Sequence, residues 1–390
     1  MRICFVIDEL FAFNTYGGYG KLMRTLAEDL IKKGHTVFAI TKRYPEQRRL
    51  QFLPDGLVLL SYEQGNSIVS KVLSKRMSKV LYNLIDADVF VHIELSESSK
   101  IAMKSNPKAK HVIWFQDPRS TKDWEKTIFT VKETVEDLQG TYKFFTVQTF
   151  LTVRKLLMTF AYNPMVRNAD CLIAQAKYLN QHARTVYKIP SDKNILFYPN
   201  PVDTIPDKVV KADKPTVCFL ARLDGQKRSY LFFELAKLFP EVEFIAMGES
   251  HNKKRQEDFV KKYSGIPNLK MVGWKFGKEK EEILEKSWVL INTSIHEALP
   301  VSFLEAWSFN TAVLSCRNPD ELVSKYGYYT GEIIGEGIKD LDKFEKGLKW
   351  LLENNRWKEL GAKGYGYVKE THDRERVVQQ HINLYEELLK

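Results

Sequence analysis

Short apolar runs alternate with helical patterns from one end of this chain to the other, and no other feature constrains its fold as much. "RICFVI" precedes "YGKLMRTLAEDLIKKG" and "HTVFAIT"; "DVFVHI", "HVIWFQ" and "DCLIAQ" follow, again separated by helical stretches. Continuous apolar runs suit strands buried on both faces, and strands alternating with helices imply a parallel sheet covered on both sides. The stretch "NPVDTIPDKVVKADKP" (200–215) is rich in Pro, Asp and Lys and reads as a linker. The pattern then restarts with "TVCFLA", "VEFIAMG", "LKMVGW", "VLINTS" and "TAVLSC". A chain of 390 residues exceeds the usual size of one core. The expected fold is therefore α/β, with two doubly wound, Rossmann-like domains facing each other across a cleft. The final "RERVVQQHINLYEELLK" reads as a helix with Val377, Ile382, Leu384 and Leu388 on its apolar stripe.

A hydrophobic content of 44% excludes wholesale disorder. The four cysteines, Cys4, Cys171, Cys218 and Cys316, each sit in an apolar run without metal-ligand spacing, which suits buried thiols of a reducing compartment. Neither the N-terminal "MRICFVIDEL" nor any later segment is apolar for long enough to read as a signal peptide or a membrane span. Net charge is +10, and the excess lies wholly in residues 1–200, which hold 29 Lys and Arg against 19 Asp and Glu; residues 201–390 hold 30 of each. A basic half suits phosphates, acidic glycans or an anionic membrane surface.

"HEALPVSFLEAW" (296–307) sets Glu297 just after the apolar run "SWVLINTS" and Glu305 inside the following helical pattern. In open parallel sheets, ligands bind where strands end and helices begin. Pro300 fits the first helical turn, leaving the N–H groups of Val301, Ser302 and Phe303 without intrahelical partners, an anion site suited to a phosphate. Glu305, leaning back towards the helix start, can accept from hydroxyls such as those of a ribose, and Glu297 from hydroxyls across the phosphate. Two hydroxyl-rich groups flanking a pyrophosphate describe a nucleotide sugar. The plainer reading makes Glu305 a first-turn acid and Glu297 a solvated loop residue.

"FLARLDGQKRSY" supplies cations: Arg222 directly after a strand and Lys227 after a "DG" turn. Together they can neutralise charge on a departing diphosphate, or they are two surface cations among many. In "NTYGGYGKLMRTLAEDL" (14–30), Gly17 and Gly18 permit close backbone approach to a ligand, or mark only a turn.

These segments, with "NADCLIAQAKYL", "YPNPVDT", "AMGES" and "LKMVGW" in the same order, resemble the retaining glycosyltransferases of family 4, which have the GT-B fold. The resemblance extends over almost the whole chain. It implies an acceptor-binding domain at 1–203, a nucleotide-sugar-binding domain at 204–370 and a helix at 371–390 crossing back to the first. It implies that Arg222 and Lys227 hold the diphosphate, that Glu297 and the following amides orient the donor sugar, and that Glu305 binds the ribose. Gly273 and Trp274 would lie near the nucleobase. The chain departs from the family at Ala298, Leu299 and Pro300, where glycines are frequent, and at Pro201. It departs again at Gln116 or Asp117, where many members carry a histidine; these are the acceptor-side candidates.

Four other signals stand outside this set. Asp86 and Asp88 ("DAD") mimic a metal motif but punctuate a turn, and His92 reads as a hydrogen-bonded histidine of the core or rim. "IVSKVLSKRMSKVLYNLI" (68–85) carries Val69, Val72, Leu73, Val80, Leu81 and Leu84 on one stripe with Lys71, Lys75, Arg76 and Lys79 largely opposite: a domain helix with a solvated basic face, or a surface for anionic lipid. "KFFTVQTFLTVRKLLMTFAY" (143–162) reads as acceptor path or core helix.

The expected function is transfer of a hexose, with retention, from a UDP- or GDP-sugar to a glycan or lipid-linked acceptor, as in cell-surface polysaccharide or glycolipid synthesis. The expected setting is cytoplasmic, peripheral to the inner face of a membrane, without metal, cofactor or nucleic-acid partner. The alternatives are a sugar-nucleotide epimerase and a non-catalytic GT-B-fold protein that binds glycan or membrane.

Overall fold

The computed structural model describes residues 1–7, 18–43, 47–63, 68–127, 130–132, 134–135, 149, 152–153, 155–156 and 158–390. The chain divides into two units. One comprises 1–119, 152–201 and 374–390, the other 120–151 and 202–373. The stretch 120–151, expected in the first domain, thus clusters with the second unit: Lys126 Nζ lies 2.5 Å from Glu332, and Glu336 accepts from Lys132 N at 2.8 Å.

The first unit holds eight described strands: β1 (Arg2–Val6), β2 (Thr36–Lys42), β3 (Leu50–Phe52), β4 (Val58–Tyr62), β5 (Val89–Ile93), β6 (Lys110–Phe115), β7 (Cys171–Ala174) and β8 (Leu196–Phe197). Their order is β3-β4-β2-β1-β5-β6-β7-β8, parallel except for β3. Successive side chains on a strand point to opposite faces, and β1 shows the result. Ile3 and Phe5 enter one cluster with Leu22, Leu26 and Leu30 of the helix Gly18–Lys32; Cys4 and Val6 enter another with Tyr82, Ile101 and Ala102. Both faces are therefore covered. The helix Arg374–Leu389 belongs to the first cluster through Val378, Ile382, Leu384 and Tyr385, and Arg374 Nη2 donates to Asp29 at 2.7 Å.

The second sheet is wholly parallel. It contains β9 (Thr216–Leu220), β10 (Glu243–Met247), β11 (Leu269–Gly273), β12 (Val289–Asn292), β13 (Ala312–Ser315) and β14 (Gly327–Tyr329), in the order β11-β10-β9-β12-β13-β14. Winding runs outwards from β9 through β10 to β11 and from β12 through β13 to β14, so the direction reverses between β9 and β12. The linker is fastened to this unit. Lys211 Nζ donates to Ser287 O (2.5 Å) and Thr311 Oγ1 (2.7 Å), and Trp288 Nε1 to Ala212 O (2.8 Å).

Two signals from the sequence resolve as structure. Asp86 receives Arg2 Nη1 at 2.8 Å and Asp88 receives Arg2 N at 2.7 Å, so the "DAD" acids secure the start of β1. His92 is buried, with Nε2 3.0 Å from His111 Nδ1. No helix among the described residues is long and apolar enough to cross a membrane.

Candidate functional site

The loops after β9 and β12 flank the point where winding reverses, and they carry Lys227 and Glu297. After β9 the chain turns at Asp224, whose carboxylate caps the short turn Gly225–Lys227 by accepting from Lys227 N (3.2 Å) and lies 3.2 Å from Arg222 Nη2. Hydrogen bonds tie the two loops together, among them Ile295 N to Gln226 O (2.9 Å), Gln226 Nε2 to His296 O (3.1 Å), Thr293 Oγ1 to Lys227 O (2.7 Å) and Arg228 Nε to Thr293 O (2.8 Å). Lys227 Nζ consequently lies 2.6 Å from Glu297 Oε1, with the two side chains only 16% and 10% exposed. Asn292, at the end of β12, adds Nδ2 to the same oxygen at 3.1 Å and is itself held by Ser294 and Ser315. Burial alone would raise the Glu297 carboxyl. The Lys227 ammonium and hydrogen bonds from Lys227, Ser294 and Asn292 outweigh it and hold the group below the usual carboxylate range.

The helix Val301–Ser308 begins beside this pair, and no side chain caps it. Two details differ from the sequence reading. Pro300 is the cap residue, in extended conformation, and not the first helical residue. The Phe303 N–H is also taken, by Pro300 O at 3.0 Å, because the first turn tightens; this leaves Val301 and Ser302 as the open amides of the predicted three. Glu305, one turn in, is ion-paired with Lys280 Nζ at 2.5 Å, with both side chains nearly buried.

Beyond β10 and β11 the loops approach closely. Gly248 N donates to Gly273 O (2.8 Å) and Leu223 N to Glu249 O (3.0 Å). Gly248 has φ +132°, and a Cβ there would lie 2.0 Å from Ala221 O, so only glycine fits. Trp274 follows β11, half-buried, its ring nearly parallel to Phe276 at 6.3 Å and near His251. Arg222, Lys227, Trp274, Glu297, Val301, Ser302 and Glu305 thus all fall at the carboxyl edge of one sheet. Sequence reasoning missed Lys280 and Asn292. Lys280 lies on the helix Gly277–Lys286 among many lysines, and Asn292 ends an apolar run, so neither carries a local signal.

In the first unit, Gly18 opens the helix Gly18–Lys32, whereas Gly17 lies outside the described residues, as does half of 143–162. Gln116 is buried in an amide cluster, giving Nε2 to Asn200 Oδ1 and receiving Asn200 Nδ2, each at 3.2 Å. Its side chain is engaged within the core. Asp117 receives Arg119 Nε at 2.7 Å, and Glu94, which the sequence reading did not single out, accepts from the backbone N–H groups of Gln116 and Asp117. Burial pushes the Glu94 carboxyl up to about 7, the two N–H groups opposing and the Asp117 charge adding. Glu94 has φ +57° and follows β5, where the first sheet reverses its winding between β1 and β5.

Residues 202–366 match the family model described as glycosyl transferases group 1. One component of the human phosphatidylinositol N-acetylglucosaminyltransferase is 23% identical over 326 residues, covering 81% of this chain; the chain spans 62% of that relative's length. Among solved structures, sucrose-phosphate synthase from Thermosynechococcus elongatus superposes with a TM-score of 0.73 at 15% identity, covering 99% of this chain and 98% of that one. HepE of Anabaena, solved with UDP and glucose, superposes with a TM-score of 0.68 at 13% identity, covering 99% and 100%. At such identities the likeness establishes architecture, and these are glycosyltransferase structures with two Rossmann-like sheets. The chain has the GT-B fold, and its residues 202–366 match the glycosyl transferases group 1 family.

Proposed function

We propose that the chain is a retaining glycosyltransferase that moves a hexosyl or acetamidohexosyl group from a UDP- or GDP-sugar to a glycan or lipid-linked acceptor. The observation that carries the reading is the buried Lys227–Glu297 pair, 2.6 Å apart at the winding reversal of the second sheet, beside an uncapped helix start. The family match over 202–366 supports it. So does the relative named for N-acetylglucosaminyl transfer and phosphatidylinositol, which favours a lipid-linked acceptor.

In this reading Arg222 and Lys227 take the diphosphate charge, with the Val301 and Ser302 amides adding the positive end of the helix dipole. Trp274 lies against the nucleobase, Glu305 accepts from the ribose, and Glu297 orients the transferred sugar. The acceptor hydroxyl attacks the anomeric carbon from the face the diphosphate leaves. The new C–O bond forms as the old one breaks, and the hydroxyl proton passes to the departing phosphate oxygen. Rate comes from positioning and from charge neutralisation by the two cations. The enzyme works at the cytoplasmic face of a membrane, as a peripheral protein.

Lys227→Ala and Glu297→Ala are each expected to lower kcat by at least about a hundredfold, the scale of removing one electrostatic contact to the transition state. Circular dichroism on the same samples reports whether they fold. Near-wild-type turnover in either folded variant would refute the assignment.

A further inference from the structure

The helix Ile68–Leu84 has two different faces. Ser78 and Tyr82 are buried, and Tyr82 Oη lies 2.6 Å from Ser98 Oγ. Around the helix from these, Leu73, Met77, Val80 and Leu84 recur at helical spacing and are 58%, 38%, 50% and 71% exposed. Arg76 and Lys79 are exposed beside them, Lys75 pairs with Glu97 at 2.6 Å, and the helix contains no acidic residue. The sequence stripe therefore does not face the core: apart from the half-buried Leu81, its described apolar residues lie in water.

The edge strand β3 extends this surface. Leu50 and Phe52, 50% and 76% exposed, pair across the ladder with Leu60 and Val58. Directly opposed residues of antiparallel strands share a face. Leu60 and Val58 pack with Tyr82 and Ile85, so Leu50 and Phe52 lie on the sheet face that carries this helix. Arg48 and Arg49 precede them, both exposed.

A single protein seldom leaves so many large apolar side chains on one face without a partner for them. The cations identify the partner. A second copy applied to the same face would bring Arg48, Arg76 and Lys79 against like charge, whereas an anionic bilayer supplies the opposite charge and an acyl boundary for the apolar stripe. We propose that this face of the first unit docks on an anionic lipid surface, with Leu73, Met77, Val80 and Leu84 entering the headgroup boundary and Arg76 and Lys79 meeting lipid phosphates. The inference rests on the glycosyltransferase reading for its purpose, since a lipid-linked acceptor lies in such a surface, but docking itself needs no donor.

Flotation of the full chain with vesicles of phosphatidylcholine, with and without phosphatidylglycerol, tests it. Binding is expected only with the anionic lipid and is expected to fall as salt rises. Arg76→Glu with Lys79→Glu is expected to weaken binding by at least about 25-fold, roughly fivefold for each cation lost and more for reversal. Leu73→Ser with Leu84→Ser is expected to weaken it comparably at unchanged charge, and Arg76→Lys with Lys79→Arg to preserve it. The proposal is overturned if the wild type does not float with anionic vesicles or if the reversed-charge variant floats as well as wild type. Self-association abolished by Leu84→Ser, without vesicle binding, would make the face a dimer contact and also overturn it. Thermal shift by UDP- or GDP-sugars on the same samples separates the two claims: its absence with vesicle binding intact counts against the donor reading alone.

Discussion

Lys227 and Glu297 depend on each other because each is nearly removed from water. Taking away one partner leaves a desolvated charge, which typically costs about 3 kcal/mol or more. Lys227→Met should therefore lose about that much stability in urea denaturation, whereas Lys227→Met combined with Glu297→Gln should lose markedly less. Equal losses in the two would mean that the ion pair has no stabilising coupling. Since Glu297 is held below its ordinary value, it contributes stability above the unfolded carboxylate range and loses it as pH falls below that range. Gly248 poses a steric test: Gly248→Ala places a methyl group 2.0 Å from Ala221 O at φ +132°. A loss of at least about 2 kcal/mol is expected, read as a lower melting temperature. Lys227, Glu297, Arg222 and Glu305 were legible because each sits at a strand end or helix start, positions with a chemical reason to be charged. Asn292 and Lys280 were not, since their roles arise only from strand register and from which helix face meets Glu305.

Elements were legible in proportion to their length and burial. β1, β2, β5, β6 and β7, and β9 to β13, are continuous apolar runs, but β3, β8 and β14 are three residues or fewer and show no period. β4, "VLLSY", is a short apolar run whose place in the sheet is set by its pairing with β2 and β3. Helical periodicity revealed a stripe on Ile68–Leu84 but not which face the protein covers, and Ser78 and Tyr82 decided that. The C-terminal helix is the opposite case, its stripe being core. Ending the chain at Asp373 would remove Val378, Ile382, Leu384 and Tyr385 from the first unit's core. At about 1.5–3 kcal/mol for each large side chain, this rivals the whole stability of a domain. The shortened chain is expected to lose the cooperative melting transition and proteolytic resistance of residues 1–119; a resistant first unit would show the helix to be dispensable.

The two units also carry different titrating cores, so their stabilities should respond differently to pH. In the first unit burial lowers His92, His111 and His381, His381 to about 3, with the His92–His111 contact lowering His92 further. At His111, the Asn106 hydrogen bond and the Asp170 charge oppose the effect. A histidine with a depressed folded pKa is stabilising above its unfolded value near 6.5 and loses that contribution as pH falls. Between pH 6.5 and 5 His381 alone should remove about 2 kcal/mol. Glu94, raised to about 7, works in the opposite direction and offsets a loss of about that size, so the net fall rests on the remaining histidines. In the second unit the depressed carboxyls Glu234, Glu297 and Glu332 lose their contribution only as pH falls below their unfolded range, and Lys211, lowered by burial to about 7, is protonated in both states under acid. From pH 7 towards 9 the unfolded chain retains the Lys211 proton that the folded one releases, so stability there should rise. Calorimetry is therefore expected to show two transitions. The first-unit transition should move down between pH 6.5 and 5 while the other holds, and the second-unit transition should move up between pH 7 and 9. His381→Phe should flatten the acid limb and Lys211→Met the alkaline one; a limb left unchanged by its own variant would show that the group named does not cause it.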